Sequence, residues 1–268
     1  MICIALFHWS FPSLYQEPSG EEVREYFNQH FPMNIHWEIP FEEYPKQCIY
    51  IYVPHGLIVF YGQSLVHQKI LPNSENTYLT THWSHYYFVK SVPILSHFSK
   101  TFPVASASKH SCHQLLQQGK SIMITPGAAR EVLATSSNPE EPCELWMRDR
   151  FGYLKLAQTY GIPVVPIVCP DETNVFEKYS LPFDKWFGHT LNLLFVLSKN
   201  MLPYFPKKTI PVFIGKPIMP DSFQNLEDMQ EHIFHWIDTK FKETGRTCTF
   251  HPKKKKHSVK INEKKEKE

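Results

Sequence analysis

"QCIYIYVPHGLIVFYG", residues 47–62, holds an unbroken apolar run from Cys48 to Val53 and then sets down Pro54, His55 and Gly56. A short apolar, β-branched run without polar alternation is the pattern of a strand buried on both faces, as in parallel sheets. The run therefore predicts an interior strand that ends on an imidazole. His55 then has two readings. It is a turn residue with a satisfied hydrogen bond, or a base near neutrality placed at a strand mouth to take a proton.

Working outward, "SKHSCHQLLQQG" (108–119) reads as a helix with a serine start and a glycine stop. "SIMIT" (121–125) is a second strand running into "PGAARE", and "RDRFGYLKLAQTYG" (148–161) is a helix closed by Gly161. "IPVVPIV" (162–168) and "TIPVFIG" (209–215) are a third and a fourth strand. "DSFQNLEDMQEHIFHWIDTKFKETG" (221–245) is a long amphipathic helix with Leu226, Met229, Ile233, Trp236 and Ile237 on one face. Upstream, Ser19 and Glu22 form a capping box before Val23, Tyr26, Phe27 and Phe31 at helical spacing. Strands alternating with helices predict an α/β fold with a mostly parallel central sheet flanked by helices. Ligands bind such sheets outside the carboxyl ends of the strands. If the first two strands are parallel, His55 and the Pro126-Gly127 turn face one crevice.

The chain has 268 residues, 42% of them hydrophobic, enough for one large domain. Neither repeats nor a Gly/Ser linker divide it, so the expected organisation is a single α/β domain over 1–252 with a basic, disordered tail over 253–268. The net charge of +2 conceals an asymmetry, since the tail carries eight lysines against three glutamates and leaves the body slightly acidic. An acidic body argues against nucleic acid. A lysine tail suits an anionic membrane surface, at about 1 kcal/mol per lysine; its plainer reading is a solvated tail. No window has the length and apolarity of a transmembrane helix, and "HTLNLLFVLSKNMLPYF" (189–205) reads as an interfacial amphipathic or a buried core helix. Six scattered cysteines without a C-x-x-C pair suit reduced thiols. The 22 prolines, among them Pro54, Pro126, Pro163, Pro166, Pro211 and Pro217, are expected at strand ends.

In "TPGAAREVL" (125–133) small residues after a strand make a tight turn whose N–H groups can hold a phosphate or an oxyanion. Other constellations are poorer. His82 with His85 and His110 with His113 have a spacing for metal but no completing pair, and "GQSLV" (62–66) begins like a nucleophile elbow at Ser64 but lacks the closing glycine.

Three stretches in order resemble the diacylglycerol acyltransferase family, within the wider glycerolipid acyltransferase superfamily. "YVPHGLIVFYG" (52–62) is similar to its H-P-H-G block and "SIMITPGAAREVL" (121–133) to its strand followed by P-G-G-x-R-E. "MRDRFGYLKLAQTYGIPVVPIVCPDETNVF" (147–176) resembles its long third block. The resemblance spans roughly residues 48–218. It implies a glycerolipid acyltransferase-like fold and transfer of a fatty acyl group from acyl-CoA to a lipid alcohol, a mono- or diacylglycerol or related acceptor. It further implies that His55 is the catalytic base, with Glu131 orienting it, stabilising its charge or binding the acceptor; Glu131 equally suits the cap of the following helix. Gly56, Gly127, Arg130, Arg148, Arg150 and Glu172 become the substrate-binding set, the arginines suiting the phosphates of CoA. For Arg148 a solvated helix start is the equal alternative.

No metal or cofactor is implied, acyl-CoA entering as co-substrate. The expected location is the cytoplasmic face of a membrane, the endoplasmic reticulum, with peripheral attachment. This sequence departs from the family pattern in four places. Val53 replaces a first histidine, no aspartate follows His55 in the H-x-x-x-x-D arrangement, Ala128 replaces a second glycine, and a membrane hairpin is not recognisable. These departures give a rival reading, a non-catalytic acyl-lipid-binding protein of the same fold; a lipid-ester hydrolase through Ser64 is a second.

Overall fold

The computed structural model describes residues 21, 25, 29, 32–56, 59–81, 103–136, 138–174, 178–179, 197–198 and 209–252. In chain order its elements are β1 (Met33–Trp37), β2 (Ile49–Val53), α1 (Phe60–His67), β3 (Thr77–Thr81), β4 (Val104–Ser106) and α2 (Lys109–Gln117). They continue with β5 (Ser121–Ile124), α3 (Ala128–Ala134), β6 (Cys143–Leu145), α4 (Gly152–Tyr160), β7 (Val164–Val168), β8 (Lys178–Tyr179) and β9 (Leu197–Ser198). β10 (Ile210–Ile214), α5 (Leu226–Glu243) and β11 (Cys248–Phe250) close the described part. The capping box at Ser19, both stretches read at 82–85 and 189–205, and the tail at 253–268 lie outside the described residues.

The first predicted strand is the centre of a seven-stranded sheet, ordered β1-β10-β7-β2-β5-β3-β4. β2 pairs in parallel with both β5 and β7, and β3 pairs in parallel with β5 and with β4. The exception is one edge, where β10 runs antiparallel to β7 and carries β1 parallel to itself. The sheet is thus mostly parallel, as the strand-helix alternation implies.

β2 shows why its sequence does not alternate. Ile49, Ile51 and Val53 face a core shared with α2, α4 and α5, while Tyr50 and Tyr52 face a second core containing Tyr61 and Leu65 of α1. All five residues are fully buried, so both faces demand apolar bulk. The helices end as their punctuation predicts. The Ser108 hydroxyl accepts the Ser111 N–H at 3.3 Å and the Asn225 side chain accepts the Asp228 N–H at 2.8 Å, while Gly161 closes α4 at φ 62°. On α5, Met229, Ile233 and Ile237 are buried as the periodicity requires; Trp236 is half-buried and its indole N–H donates to Glu38 at 2.6 Å.

Two prolines depart from the expectation that they stop strands. Pro166 lies inside β7 and Pro211 inside β10. Pro166 falls in the gap between the β7–β10 pairing at 167–168 and an isolated bridge from Val164 to Ile218. The Pro166 carbonyl accepts the Gly215 N–H at 2.9 Å, and the Gly215 carbonyl, which a proline cannot reach with an N–H, accepts the Tyr44 hydroxyl at 3.1 Å instead. Pro211 precedes the first β7 partner of β10, Phe213, so its nitrogen faces an unpaired side.

Candidate active site at the carboxyl edge of the sheet

Because β5, β2 and β7 are parallel neighbours, their carboxyl ends open on one edge. Val53 pairs with Val168 and Ile51 with Ile124. The register brings the turns 54–56, 125–128 and 169–172 together. All three sequence blocks therefore converge.

The His55 backbone N–H donates to Glu131 Oε1 at 2.5 Å, and the Trp146 N–H donates to Glu131 Oε2 at 3.3 Å. Glu131 is only 1% exposed, and burial pushes its carboxyl up to about 7 against the lowering effect of the two N–H donors. It therefore grips the peptide of His55 instead of capping α3. Gly127 makes this possible, since a Cβ there would lie 1.9 Å from Glu131 Oε2. The carboxylate folds back over the glycine where any side chain would stand.

The imidazole is set by its own loop. His55 Nδ1 lies 2.8 Å from the Gly56 carbonyl oxygen. A carbonyl only accepts, so this bond puts the proton on Nδ1 and leaves the Nε2 lone pair as the basic site. Gly56 has φ 58°, and a Cβ on it would meet Glu172 Cγ at 2.9 Å. Glu172 is 1% exposed, and its Oε2 accepts the Tyr52 hydroxyl and, at 3.1 Å, the Tyr61 N–H. The glycine is required twice, for its left-handed backbone and for close packing on a buried glutamate.

The arginines divide into two groups. Arg130 Nε and Nη1 are buried and make no hydrogen bond. Burial, and secondarily the charge of Arg130, hold the Arg150 guanidinium below the usual arginine range. The Arg130 atoms left without a partner and the neighbouring Arg150 put two guanidinium groups near each other, a pairing of the kind that suits a phosphate. Arg148 is elsewhere. It pairs with Glu231 on α5 at 2.8 Å and lies over the Phe234 ring at 5.6 Å.

Of three details, the first differs from the sequence reading and the other two agree with it. The oxyanion cradle expected at Gly127 is compromised, because the Ala128 N–H donates to the Thr125 carbonyl at 3.3 Å and the Glu131 carboxylate covers Gly127. Ala128 nevertheless keeps the left-handed backbone, at φ 49°, where a glycine would be free of strain. Ser64 is fully buried in α1 and accepts the Gln68 amide at 2.5 Å, which removes it as a nucleophile open to substrate. Of the metal-spaced pairs, His113 on α2 is engaged with the Tyr160 hydroxyl at 2.7 Å.

Tyr52, Tyr61 and Trp146 were not legible as site residues. Tyr52 read only as a member of a buried strand, and Tyr61 and Trp146 contribute backbone N–H groups, for which side-chain identity carries no signal.

Comparison with known proteins gives the family. Residues 16–265 match the diacylglycerol acyltransferase family. The chain belongs to that family. It is 27% identical over 217 residues to diacylglycerol O-acyltransferase 1 of Schizosaccharomyces pombe, covering 72% of this chain and 60% of that protein. It is 26% identical over 172 residues to diacylglycerol O-acyltransferase 2B of Umbelopsis ramanniana, covering 57% and 48% respectively. With 2-acylglycerol O-acyltransferase 1 of Bos taurus it shares 26% over 269 residues, 90% of this chain and 75% of that one. The chain thus spans about half to sixty per cent of the first two relatives. Among solved structures, the 1-acyl-sn-glycerophosphate acyltransferase of Thermotoga maritima superposes with a TM-score of 0.50 over 90% of both chains at 12% identity. That likeness establishes the family's α/β fold for this member.

Proposed function

We propose that this chain is an acyl-CoA-dependent O-acyltransferase that moves a fatty acyl group to a lipid alcohol, a mono- or diacylglycerol or related acceptor. The observation that carries the reading is the convergence of three family blocks on adjacent parallel strand ends, with His55 pinned by Glu131 on one side and Gly56 seated on Glu172 on the other.

In this reading His55 Nε2 removes the proton of the acceptor hydroxyl as its oxygen attacks the thioester carbonyl. The C–O bond forms, the C–S bond breaks, and the proton on His55 passes to the departing CoA sulfur. No covalent acyl-enzyme is required. Glu131 and Glu172, both buried, act as positioning residues and not as contacts to substrate. Gly127 serves Glu131 by leaving it room. Arg130 and Arg150 hold the phosphates of acyl-CoA. Arg148, occupied by Glu231, has no part in this.

Among the described residues, no helix is long and apolar enough to cross a membrane. The proposed attachment is to the cytoplasmic face of a membrane such as the endoplasmic reticulum, at its surface and aided by the lysines of 253–268. Flotation with anionic liposomes at low salt tests it, and protein that stays at the bottom refutes it.

The functional test uses purified full chain, labelled acyl-CoA and a panel of monoacylglycerols, diacylglycerols, long-chain alcohols and lysophospholipids. Transfer by the wild type, lost in His55→Ala, is the expected result. Undiminished transfer by His55→Ala removes the mechanism, and acyl-CoA binding without consumption selects the non-catalytic reading.

A further inference from the structure

Outside every block that carries the family resemblance, one charged side chain is buried beside this site. Arg246 follows α5 through the turn Thr244-Gly245, and its N–H donates to the Phe241 carbonyl at 3.1 Å. The side chain turns inward and the residue is 7% exposed. Its Nη1 donates to the Pro170 carbonyl and lies 3.3 Å from Asp171 Oδ1, while Nε and Nη2 are buried without a hydrogen bond. Burying a guanidinium so incompletely satisfied is costly, and a long aliphatic side chain would fill the space more cheaply. The charge therefore calls for a reason.

The reason lies in what Pro170 and Asp171 support. They open the turn whose next residue is Glu172, the glutamate on which Gly56 is seated. That turn is fastened to the His55 strand by the Cys169 N–H, which donates to the Val53 carbonyl at 2.9 Å, and by the Tyr52 hydroxyl, which donates to Glu172. Arg246 holds its far side. Asp171 Oδ1 also accepts from Asn174 at 3.0 Å, so the arginine completes a closed turn over 169–174. The residue after Arg246 leads into β11, which pairs in parallel with β6. Beyond β6 comes Trp146, whose N–H donates to Glu131.

We propose that Arg246 is a positioning residue for His55: it clamps the 169–174 turn so that Glu172 sets the height of Gly56 and thereby the carbonyl that orients the imidazole. The inference rests on the transferase reading for its kinetic consequence and on geometry alone for its structural one.

The experiment compares wild type, Arg246→Met, Arg246→Lys and Asp171→Asn as full chains, well below their unfolding temperatures. The first readout is the rate at which diethyl pyrocarbonate modifies His55 at neutral pH, located by mass spectrometry, which needs no turnover. The second is kcat against KM for acyl-CoA. Arg246→Met changes the His55 labelling rate by about threefold or more as the loop loosens. It lowers kcat by about tenfold or more with little change in KM. Arg246→Lys, which keeps one donor for Pro170, recovers most of both. Asp171→Asn moves both in the same direction by less, and carries the test if Arg246→Met does not fold. Labelling curves of Arg246→Met, or in its absence Asp171→Asn, that superimpose on wild type overturn the proposal. A wild type that transfers no acyl group refutes the proposed function, while the labelling still judges Arg246.

Discussion

Glu131→Gln isolates the buried carboxyl that grips His55. In the folded chain this carboxyl titrates at about 7, pushed up by burial from an ordinary 4.5. Between those values the unfolded chain has released the proton while the folded chain keeps it. Folding stability therefore falls as pH rises from about 4.5 to 7 and levels off above that. The gap corresponds to about 3 kcal/mol at full ionisation, taken as an upper magnitude. Glutamine has no such charge. Its amide presents an NH2 to one of the two N–H donors, from His55 and Trp146, just as the O–H of the protonated carboxyl does. The two proteins are therefore of similar stability near pH 5, and the difference moves in the variant's favour by up to about 3 kcal/mol by pH 8. Urea unfolding of both proteins at pH 5, 6, 7 and 8 measures it, the other carboxylates cancelling in the difference. A wild-type-minus-variant difference that stays flat across this range refutes the reasoning, because it means that Glu131 ionises in the fold as easily as in water.

Gly56→Ala adds a Cβ 2.9 Å from buried Glu172 Cγ at φ 58°, and is expected to cost about 2 kcal/mol or more; an unchanged thermal midpoint contradicts the packing described. Ala128→Gly relieves a left-handed alanine at φ 49° and is expected to be neutral or to stabilise by about 1 kcal/mol at most, glycine's added freedom offsetting part of the gain. A loss of stability in calorimetry counts against that strain. Tyr52→Phe removes the hydroxyl that donates to Glu172. It should lower stability by about 1–3 kcal/mol, and denaturant unfolding indistinguishable from wild type would disprove the bond.

The central strand, the helices at 109–117, 152–160 and 226–243, and the edge to which His55 and Gly127 belong were all readable, because each rests on local punctuation or on an unbroken buried run. β1, β3, β4, β6 and β11 were not. The residues of β1, "MNIHW", alternate between half-buried and exposed on an edge strand, and β4, β6 and β11 have three residues each, too few for a period to register. For the site, the motifs located the turns but not the direction of the side chains. Glu131 read as an orienter of His55 or a helix cap; it holds the histidine through its backbone, a contact that no spacing encodes. Glu172 read as a substrate contact, and its burial under Gly56 depends on β7 lying next to β2. Arg246 carried no motif at all. Its position follows from a helix end meeting a strand turn about seventy-five residues away in sequence, which only the packed chain reveals.

The bond between His55 Nδ1 and the Gly56 oxygen has a bearing on the kinds of acyl donor that the proposed transfer suits. A neutral peptide dipole fixes the ring's orientation, but it compensates a positive imidazolium far less than a carboxylate in that place would. A base so supported does best when it carries its extra proton only briefly, because the departing group leaves readily and takes that proton at once. Thiols depart in this way; amines do not. In the proposed transfer, the loop that aims the ring therefore suits activated esters of sulfur better than amides.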